Sequence, residues 1–291
     1  MLLSMDKSHL AMKTRISPLA VFLSFGALIT SDAHGQFFIQ AHGAGHGRIG
    51  SETFVKFDDQ AGTVTRKPYN LGQGVGGGIA VGAMINERVG VEARFTYVSG
   101  MKLEIEEETT SASFKSESTD SYKSSFIRIE PALRMSTGAG KARWYMAAGP
   151  SLAIAPKLTY EGEQTDQYYN VTQPFQTLRR EINRDNELTG GIGLGAFGAV
   201  GFLYQGGGAL GFFAELSGTA QSWAPRKGHY ETETRTVLFN GTASTDSDVE
   251  NLDFVDEYND DEDNKGLLQH FSMSTWGLRI GLHVQLGRGG E

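Results

Sequence analysis

Eight short apolar segments, separated by polar connections of two very different lengths, constrain the fold of this 291-residue chain. Within each segment, apolar side chains recur at every second residue, which predicts β-strands with one apolar face. The predicted strands begin near residues 37, 75, 89, 127, 144, 192, 210 and 276. Apolar spacing typical of helices is rare after residue 36. The sequence therefore predicts an all-β fold.

The connections between these segments alternate strictly between short and long. The short ones are 86–88, 137–142 and 203–208. The long, polar ones are 48–73, 102–123, 157–187 and 224–270. Such alternation places every long connection at the same end of an up-and-down sheet. It is typical of outer-membrane barrels, which have short periplasmic turns and long extracellular loops, whereas a soluble sandwich has no reason to sort its loops by end.

The two faces of the predicted strands differ in the size and polarity of their side chains. One face carries large apolar groups, as at Trp276, Leu278 and Ile280, and the other carries mostly Gly, Ala, Ser, Thr and charged residues. A narrow interior cannot hold so many large groups, so we expect them to face lipid. Closure of the sheet into a barrel would give the backbone N–H and C=O groups of the strands hydrogen-bond partners within the lipid. We therefore predict an eight-stranded antiparallel up-and-down transmembrane β-barrel with four long extracellular loops.

The N-terminal region has the features of an export signal. Lys13 and Arg15 precede an apolar run at 19–29, and small residues follow at Ala33 and Gly35. The run is well short of the roughly 20 residues that a membrane-spanning helix needs. We expect residues 1–35 to be a signal peptide, with Met12 as an alternative start, and residues 36–291 to be an outer-membrane barrel domain.

Local stretches of the strands carry a family resemblance. Residues 126–133 and 147–152, together with the alternation of connections, resemble the outer-membrane β-barrel superfamily, and in particular small eight-stranded barrels such as the transmembrane domain of OmpA. The resemblance implies insertion by the barrel-assembly machinery, contact with outer-membrane lipids and lipopolysaccharide, and a monomer. The family usually ends in an aromatic residue, whereas here the last predicted strand ends at Leu286 and the tail 287–291 follows.

Charged residues interrupt the small-residue face of the predicted strands. They are Glu92, Arg94, Arg128, Glu130, Arg134, Arg143, Glu215 and Arg279. Because an unpaired charge in a narrow interior costs on the order of several kcal/mol, we predict that these groups form an ion-pair network that fills the lumen. The alternative is a narrow path for ions or small solutes.

Charge and cysteine content exclude several functions. The chain has no Cys, which excludes thiolate zinc sites, thiol catalysis and anchoring through a lipidated Cys. Its net charge of −8 argues against nucleic-acid binding. The connection 224–270 holds twelve carboxylates against four basic side chains. We expect it to be a solvated acidic loop, and a divalent-cation site is the alternative.

Two pairs of residues raise the question of catalysis or metal binding. His270 and Ser272 resemble the His-x-Ser pair of barrel lipid A deacylases, but Met273 stands where that family usually has Asn. His42 and His46 on the predicted lumen face supply two metal ligands without a third. We therefore expect no enzyme activity, no metal and no cofactor.

The resemblance implies a structural, adhesion or surface-interaction function through the long loops, with an extracellular ligand that the sequence does not name. A narrow channel is the first alternative, and a lipid A-modifying hydrolase is a distant third. A secreted, soluble β-sandwich is the competitor that does not involve a membrane.

Overall fold

The structure is a computed structural model that describes residues 36–50, 52–58, 63–138, 140–169, 176–257 and 264–286. The predicted signal peptide and the tail 287–291 lie outside these ranges. None of the described elements is a helix long and apolar enough to cross a membrane. In the described ranges the strands are β1 (Gln36–Arg48), β2 (Glu52–Asp58), β3 (Thr63–Tyr69), β4 (Gly74–Met84), β5 (Val89–Gly100), β6 (Leu103–Thr110), β7 (Phe114–Ser136), β8 (Ala142–Tyr168), β9 (Thr177–Thr189), β10 (Gly193–Gln205), β11 (Leu210–Trp223), β12 (Lys227–Leu238), β13 (Ala243–Val255), β14 (Lys265–Leu267), β15 (Phe271–Ser272) and β16 (Thr275–Leu286).

The strands that contain the predicted apolar segments pair into a closed antiparallel ring. Among the described residues, the order around this ring is β1, β4, β5, β7, β8, β10, β11 and β16, and β16 pairs back onto β1. The pairing of β1 with β16 runs from Phe37 opposite Leu286 to Arg48 opposite Thr275. The prediction of an all-β, largely antiparallel fold is confirmed.

The prediction of only eight strands is wrong, because sixteen occur in the described part of the chain. All four segments predicted as long loops contain strands. β7 and β8 are 23 and 27 residues long and continue past the ring. These segments are polar on both faces, so the apolar alternation used for the prediction gives no signal there. Their backbone groups are paired by neighbouring strands instead.

We call the extension beyond the ring the outer sheet. It consists of β6, residues 114–122 of β7, residues 158–168 of β8, and the strands β9, β12 and β13. β14 pairs in parallel with the last residues of β13, and β2 and β3 form a separate hairpin. The acidic connection 224–270 is therefore largely β-structure in its described part rather than a loop.

The ring has two different ends. The short connections after β4, β7 and β10 lie at one end, which we call the turn end, together with the start of β1 and the end of β16. The outer sheet continues from the opposite end, which we call the sheet end. The predicted sorting of short and long connections by end is thus present, although the long ones are structured.

The two faces of the ring strands differ as expected. Large apolar side chains point outward and are well exposed, as at Met146 (61%), Ile280 (61%) and Phe212 (59%). Inward-facing side chains such as Phe197 and Tyr145 are buried. The hydrophobic side chains inside the ring are accompanied by many buried polar and charged ones, which form the candidate site.

Candidate functional site

Seven of the eight charged residues predicted to line the lumen are buried inside the ring. Each has no more than 3% of its surface exposed, and the set is Glu92, Arg94, Arg128, Glu130, Arg134, Glu215 and Arg279. They lie on strands β5, β7, β11 and β16, at inward positions of the strand alternation. Arg143, the eighth, is only partly buried.

Arg94 is at the centre of these ion pairs. Its Nη1 and Nη2 each donate a hydrogen bond of 2.8 Å to the carboxylate of Glu215. Its Nε donates to Glu92 at 2.7 Å, and the other oxygen of Glu92 accepts from Arg134 at 2.9 Å. The Tyr145 hydroxyl donates to Glu215 at 3.1 Å. Bidentate, charge-assisted bonds of this kind fix both the position and the plane of the guanidinium group.

Arg279 connects the remaining carboxylate to the same network. Its Nη2 donates to Glu130 at 2.5 Å, and its Nη1 lies 3.4 Å from Glu215. Six side chains are therefore linked without interruption, in the order Arg134, Glu92, Arg94, Glu215, Arg279 and Glu130. A buried charge is tolerated when it is paired and hydrogen-bonded, and each of these six has an oppositely charged partner, although Glu130 Oε1 and Arg279 Nε have no hydrogen-bond partner among the described residues.

Aromatic rings support two of the guanidinium groups. Arg134 lies 3.7 Å from the centre of the Tyr145 ring and 5.1 Å from that of Phe38. Arg94 lies 5.1 Å from the centre of the Phe197 ring. Attraction between the cation and the ring face adds to the ion pairs in a desolvated interior.

The two other predicted residues stand apart from these ion pairs. Arg143 donates to the amide oxygen of Gln205 at 2.8 Å. Arg128 reaches Thr275 Oγ1 at 3.4 Å, and its Nε and Nη1 have no hydrogen-bond partner among the described residues. The structure thus brings six of the eight predicted residues into one network and leaves these two outside it.

An apolar layer, which we call the cap, closes the interior at the sheet end. Its members are Tyr69, Leu71, Val98, Phe126, Ala153, Leu158, Trp223 and Met273. Leu71 enters from the turn that precedes β4, where its carbonyl accepts a bond of 2.6 Å from Ser124. Asn70 holds this turn by accepting from Gly72 N at 2.8 Å and donating to Ser272 Oγ at 3.1 Å.

Sequence reasoning missed the cap because residues 69–73 fall inside a segment interpreted as a solvated loop. The only local signal was the pair of apolar residues that flank Asn70. At the turn end, a second apolar group of Tyr145, Leu203 and Phe213 is buried. The described interior is therefore occupied by side chains, with the apolar cap at the sheet end, the ion pairs below it, and apolar and polar side chains mixed toward the turn end.

The residues considered for catalysis or metal binding have other contacts. Ser272 accepts from Asn70 and lies in a shallow, open groove with the exposed His270. His42 Nε2 lies 3.0 Å from Thr96 Oγ1. In the described ranges no group of three or more His, Cys, Asp or Glu side chains is arranged to hold a metal ion.

The outer sheet has acidic side chains in register on neighbouring strands. Glu161 on β8 is opposite Asp185 on β9, which is opposite Glu231 on β12. Such like-charge neighbours destabilise a sheet. β13 is exposed on both faces along 243–251 and, within the described residues, pairs with β12 on one side while β14 reaches only its positions 253–255.

A tyrosine cluster lies where the outer sheet leaves the ring. Tyr160 donates to Asp120 at 2.7 Å, and its ring centre is 4.9 Å from that of Tyr122. Partial burial and, next, the Asp120 carboxylate raise the pKa of Tyr160 above its ordinary value. Partial burial, with the nearby carboxylates of Asp120 and Glu107, raises the pKa of Tyr122 to about 12.

The ring is closed, its outer surface is apolar, and its interior holds paired charges. These features define the fold as a closed, largely antiparallel all-β protein. No family model matches the sequence, and no curated protein matches it. The structure is similar to a major outer membrane protein from Thermus thermophilus, with 12% identity, a TM-score of 0.31, and coverage of 87% of this chain and 99% of that one. It is also similar to Acinetobacter baumannii CarO, with 13% identity, a TM-score of 0.30, and coverage of 85% of this chain and 97% of that one.

Proposed function

We propose that this chain is an outer-membrane β-barrel protein whose ring spans the membrane and whose outer sheet projects from the cell. The observation that carries the proposal is the outward apolar surface of a ring with no free edge. Large side chains such as Leu216 (59% exposed) and Leu194 (62%) cover the outside of the ring. A continuous apolar surface of this kind suits lipid and is unfavourable in water.

The dimensions of the ring support the same proposal. Six of its strands are 11–14 residues long, and a tilted transmembrane strand needs about 9–11. Exposed aromatic residues occur at both ends. Trp144 packs edge-on against Phe202 at the turn end, and Tyr97 and Trp276 lie toward the sheet end. Aromatic side chains are enriched at membrane interfaces.

The outer sheet supports a structural, adhesion or surface-interaction role. It is built on the long strands β7 and β8, so it continues rigidly from the ring. The filled interior favours this role over that of a narrow channel. Monomeric state, kinship with the OmpA transmembrane domain, insertion by the assembly machinery, contact with lipopolysaccharide and an extracellular loop ligand remain parts of this proposal.

Gel mobility of the outer-membrane fraction, with and without boiling in detergent, tests the barrel. We expect the unboiled protein to migrate faster, because a closed barrel resists detergent. An epitope inserted between β12 and β13, at 239–242, tests the orientation. It should be detected on intact cells, whereas the same epitope inserted between β10 and β11, at 206–209, should be detected only after lysis. Recovery in the soluble periplasm without a mobility shift would refute the proposal.

A further inference from the structure

The buried charges inside the ring do not balance. Among the described residues, four arginines and three glutamates are buried there, so one positive charge lacks a counterpart. The ion-pair network uses Arg94, Arg134 and Arg279 together with all three glutamates. The excess charge therefore belongs to Arg128.

The surroundings of Arg128 leave two of its donors unused. One face of its guanidinium lies 5.2 Å from the centre of the Phe126 ring, which belongs to the cap. Its Nη2 approaches Thr275 Oγ1 at 3.4 Å, at the long limit of a hydrogen bond. Its Nε and Nη1 have no partner among the described residues, although Arg128 is only 1% exposed.

Two other buried side chains, on β1 and β8, have polar atoms without partners among the described residues. His46 is 5% exposed and both of its ring nitrogens are unpartnered within the described ranges. Ser151 is fully buried, and its Oγ is also unpartnered among the described residues. Ser151 is on β8, two positions from Ala153, which is directly opposite Arg128.

We propose that Arg128 binds a small monovalent anion, of the size and charge of chloride, inside the ring beneath the cap. An anion in contact with Nε or Nη1 would neutralise the excess charge, although the N–H bonds of these two donors point in different directions and one anion would not contact both. A water molecule could satisfy the donors but would leave the charge, which is costly in a low-dielectric interior. Ser151, on the strand that pairs with β7, would contribute a further donor.

Within the described part of the chain, Glu130 is the negative group that could compete for Arg128. Its Oε2 is held by Arg279 at 2.5 Å, and its Oε1 is unpartnered within the described ranges. A water joining this oxygen to Arg128 is therefore the result that would stand against an anion. X-ray diffraction distinguishes an anion from a water at this position, because bromide gives a strong anomalous signal and water does not.

Bromide is the probe for the first experiment. Crystals of the folded protein in detergent, grown with sodium bromide in place of sodium chloride, should show an anomalous peak in contact with Arg128 Nε or Nη1. A peak only at the protein surface would mean an adventitious ion only, and would overturn the proposal. Ordinary water density between Arg128 and Glu130 without an anomalous peak would also overturn it.

Stability in two salts is the second measurement. At chloride 100 times its dissociation constant, binding to the folded state shifts the unfolding equilibrium about 100-fold. The temperature at which the cold-gel mobility is lost should therefore be higher in sodium chloride than in sodium gluconate at equal ionic strength. Arg128→Met should remove the difference, and Arg143→Met, which changes the partly buried arginine at the turn end, should keep it.

Equal melting temperatures of the wild-type protein in the two salts would overturn the proposal even if Arg128→Met failed to fold. The barrel proposal is tested separately by the mobility shift itself, which does not depend on the anion.

Discussion

Arg94 and Glu215 form a bidentate ion pair straight across the inside of the ring, with both hydrogen bonds at 2.8 Å. Arg94 lies on β5 and Glu215 on β11, which are four places apart in the ring order. Arg279 on β16 and Glu130 on β7 are also four places apart. The two pairs therefore brace the ring along two different diameters, and Arg279 joins them through Glu215.

Removing one charge from these two ion pairs should destabilise the protein strongly. Glu215→Gln leaves Arg94 with a buried, undercompensated charge, and breaking such a pair costs about 3–5 kcal/mol. The measurement is the urea midpoint of the cold-gel mobility shift. Glu250→Gln on the exposed strand β13 is the matched control and should leave the midpoint unchanged.

The double variant Arg94→Met with Glu215→Leu gives an independent check of this brace. Replacing both partners by apolar groups leaves no lone charge between them, so it should cost less than Glu215→Gln alone. A double variant less stable than the single variant would contradict the role assigned to the pair.

The close contact of β4 and β5 at Gly78 should not tolerate a side chain. A Cβ at this position would lie 1.9 Å from the carbonyl oxygen of Phe95, which is a backbone atom and cannot move aside cheaply. Gly78→Ala should therefore cost about 1–3 kcal/mol, as overpacking does. Gly43→Ala on the neighbouring β1 meets nothing within 4 Å and is the control. Equal urea midpoints for the two variants would show that the strands are farther apart.

The cap should contribute to stability as a packed core does. Leu71 and Met273 are 3% and 1% exposed, so Leu71→Ala or Met273→Ala should each cost about 2–5 kcal/mol. Leu267→Ala, at a side chain 63% exposed, should have little effect. Thermal loss of the cold-gel mobility measures all three, and a Leu71→Ala protein as stable as Leu267→Ala would rule out a packed cap.

The filled interior should not conduct ions. Planar bilayers containing the purified protein should show no single-channel steps, because side chains occupy the space between the turn end and the cap. Leu71→Ala should also give none, since the ion-pair network lies below the cap. Discrete steps in the wild-type protein would favour the channel alternative.

No catalytic function is expected at the groove that contains Ser272. Its hydroxyl is engaged by Asn70, which orders the turn before β4. Cells that carry Ser272→Ala should therefore have an unchanged lipid A profile. A profile altered by Ser272→Ala and restored by the wild-type protein would support the hydrolase.

Tyr160, in the tyrosine cluster of the outer sheet, should lose its proton at a higher pH than an ordinary tyrosine. Partial burial and the Asp120 carboxylate raise the pKa of Tyr160, so the folded protein keeps this proton at a pH where the unfolded chain loses it. The stability that this proton linkage contributes is present at neutral pH and falls as the pH rises beyond about 10. Asp120→Asn should shift the tyrosinate absorbance titration to lower pH. Tyr160→Phe removes the late component and identifies it, and an unchanged curve in Asp120→Asn would contradict the assignment.

The sequence alone predicted the strands of the ring but not those of the outer sheet. β5 was evident from Val89 to Tyr97 because each apolar residue faces outward and each small or charged residue faces inward. β13 has no such alternation, since both of its faces are exposed. Its strand conformation depends on backbone pairing with β12 across the short turn 239–242, and pairing between polar strands leaves no apolar pattern in the sequence.

The charged residues of the interior were also identifiable, but not their partners. Glu92 and Arg134 were predicted to face the lumen because they interrupt a small-residue face. Which arginines remain outside the network depends on how far each guanidinium reaches across the ring, and this is fixed by strand order and tilt. The insertion of Leu71 into the cap likewise depends on a turn held by Asn70 and Ser124, which strand periodicity does not encode.

The exposed edge of β13 has a consequence for neighbouring molecules of the same protein. If two copies met edge to edge in antiparallel register about Asp248, each Asp248 would face its counterpart and each Asp246 would face a Glu250. Repulsion between these carboxylates opposes the growth of a shared sheet, as charges do on many edge strands. The edge of β13 that is open among the described residues thus disfavours a continuous sheet with other copies of the protein, because like charges would face each other at each contact.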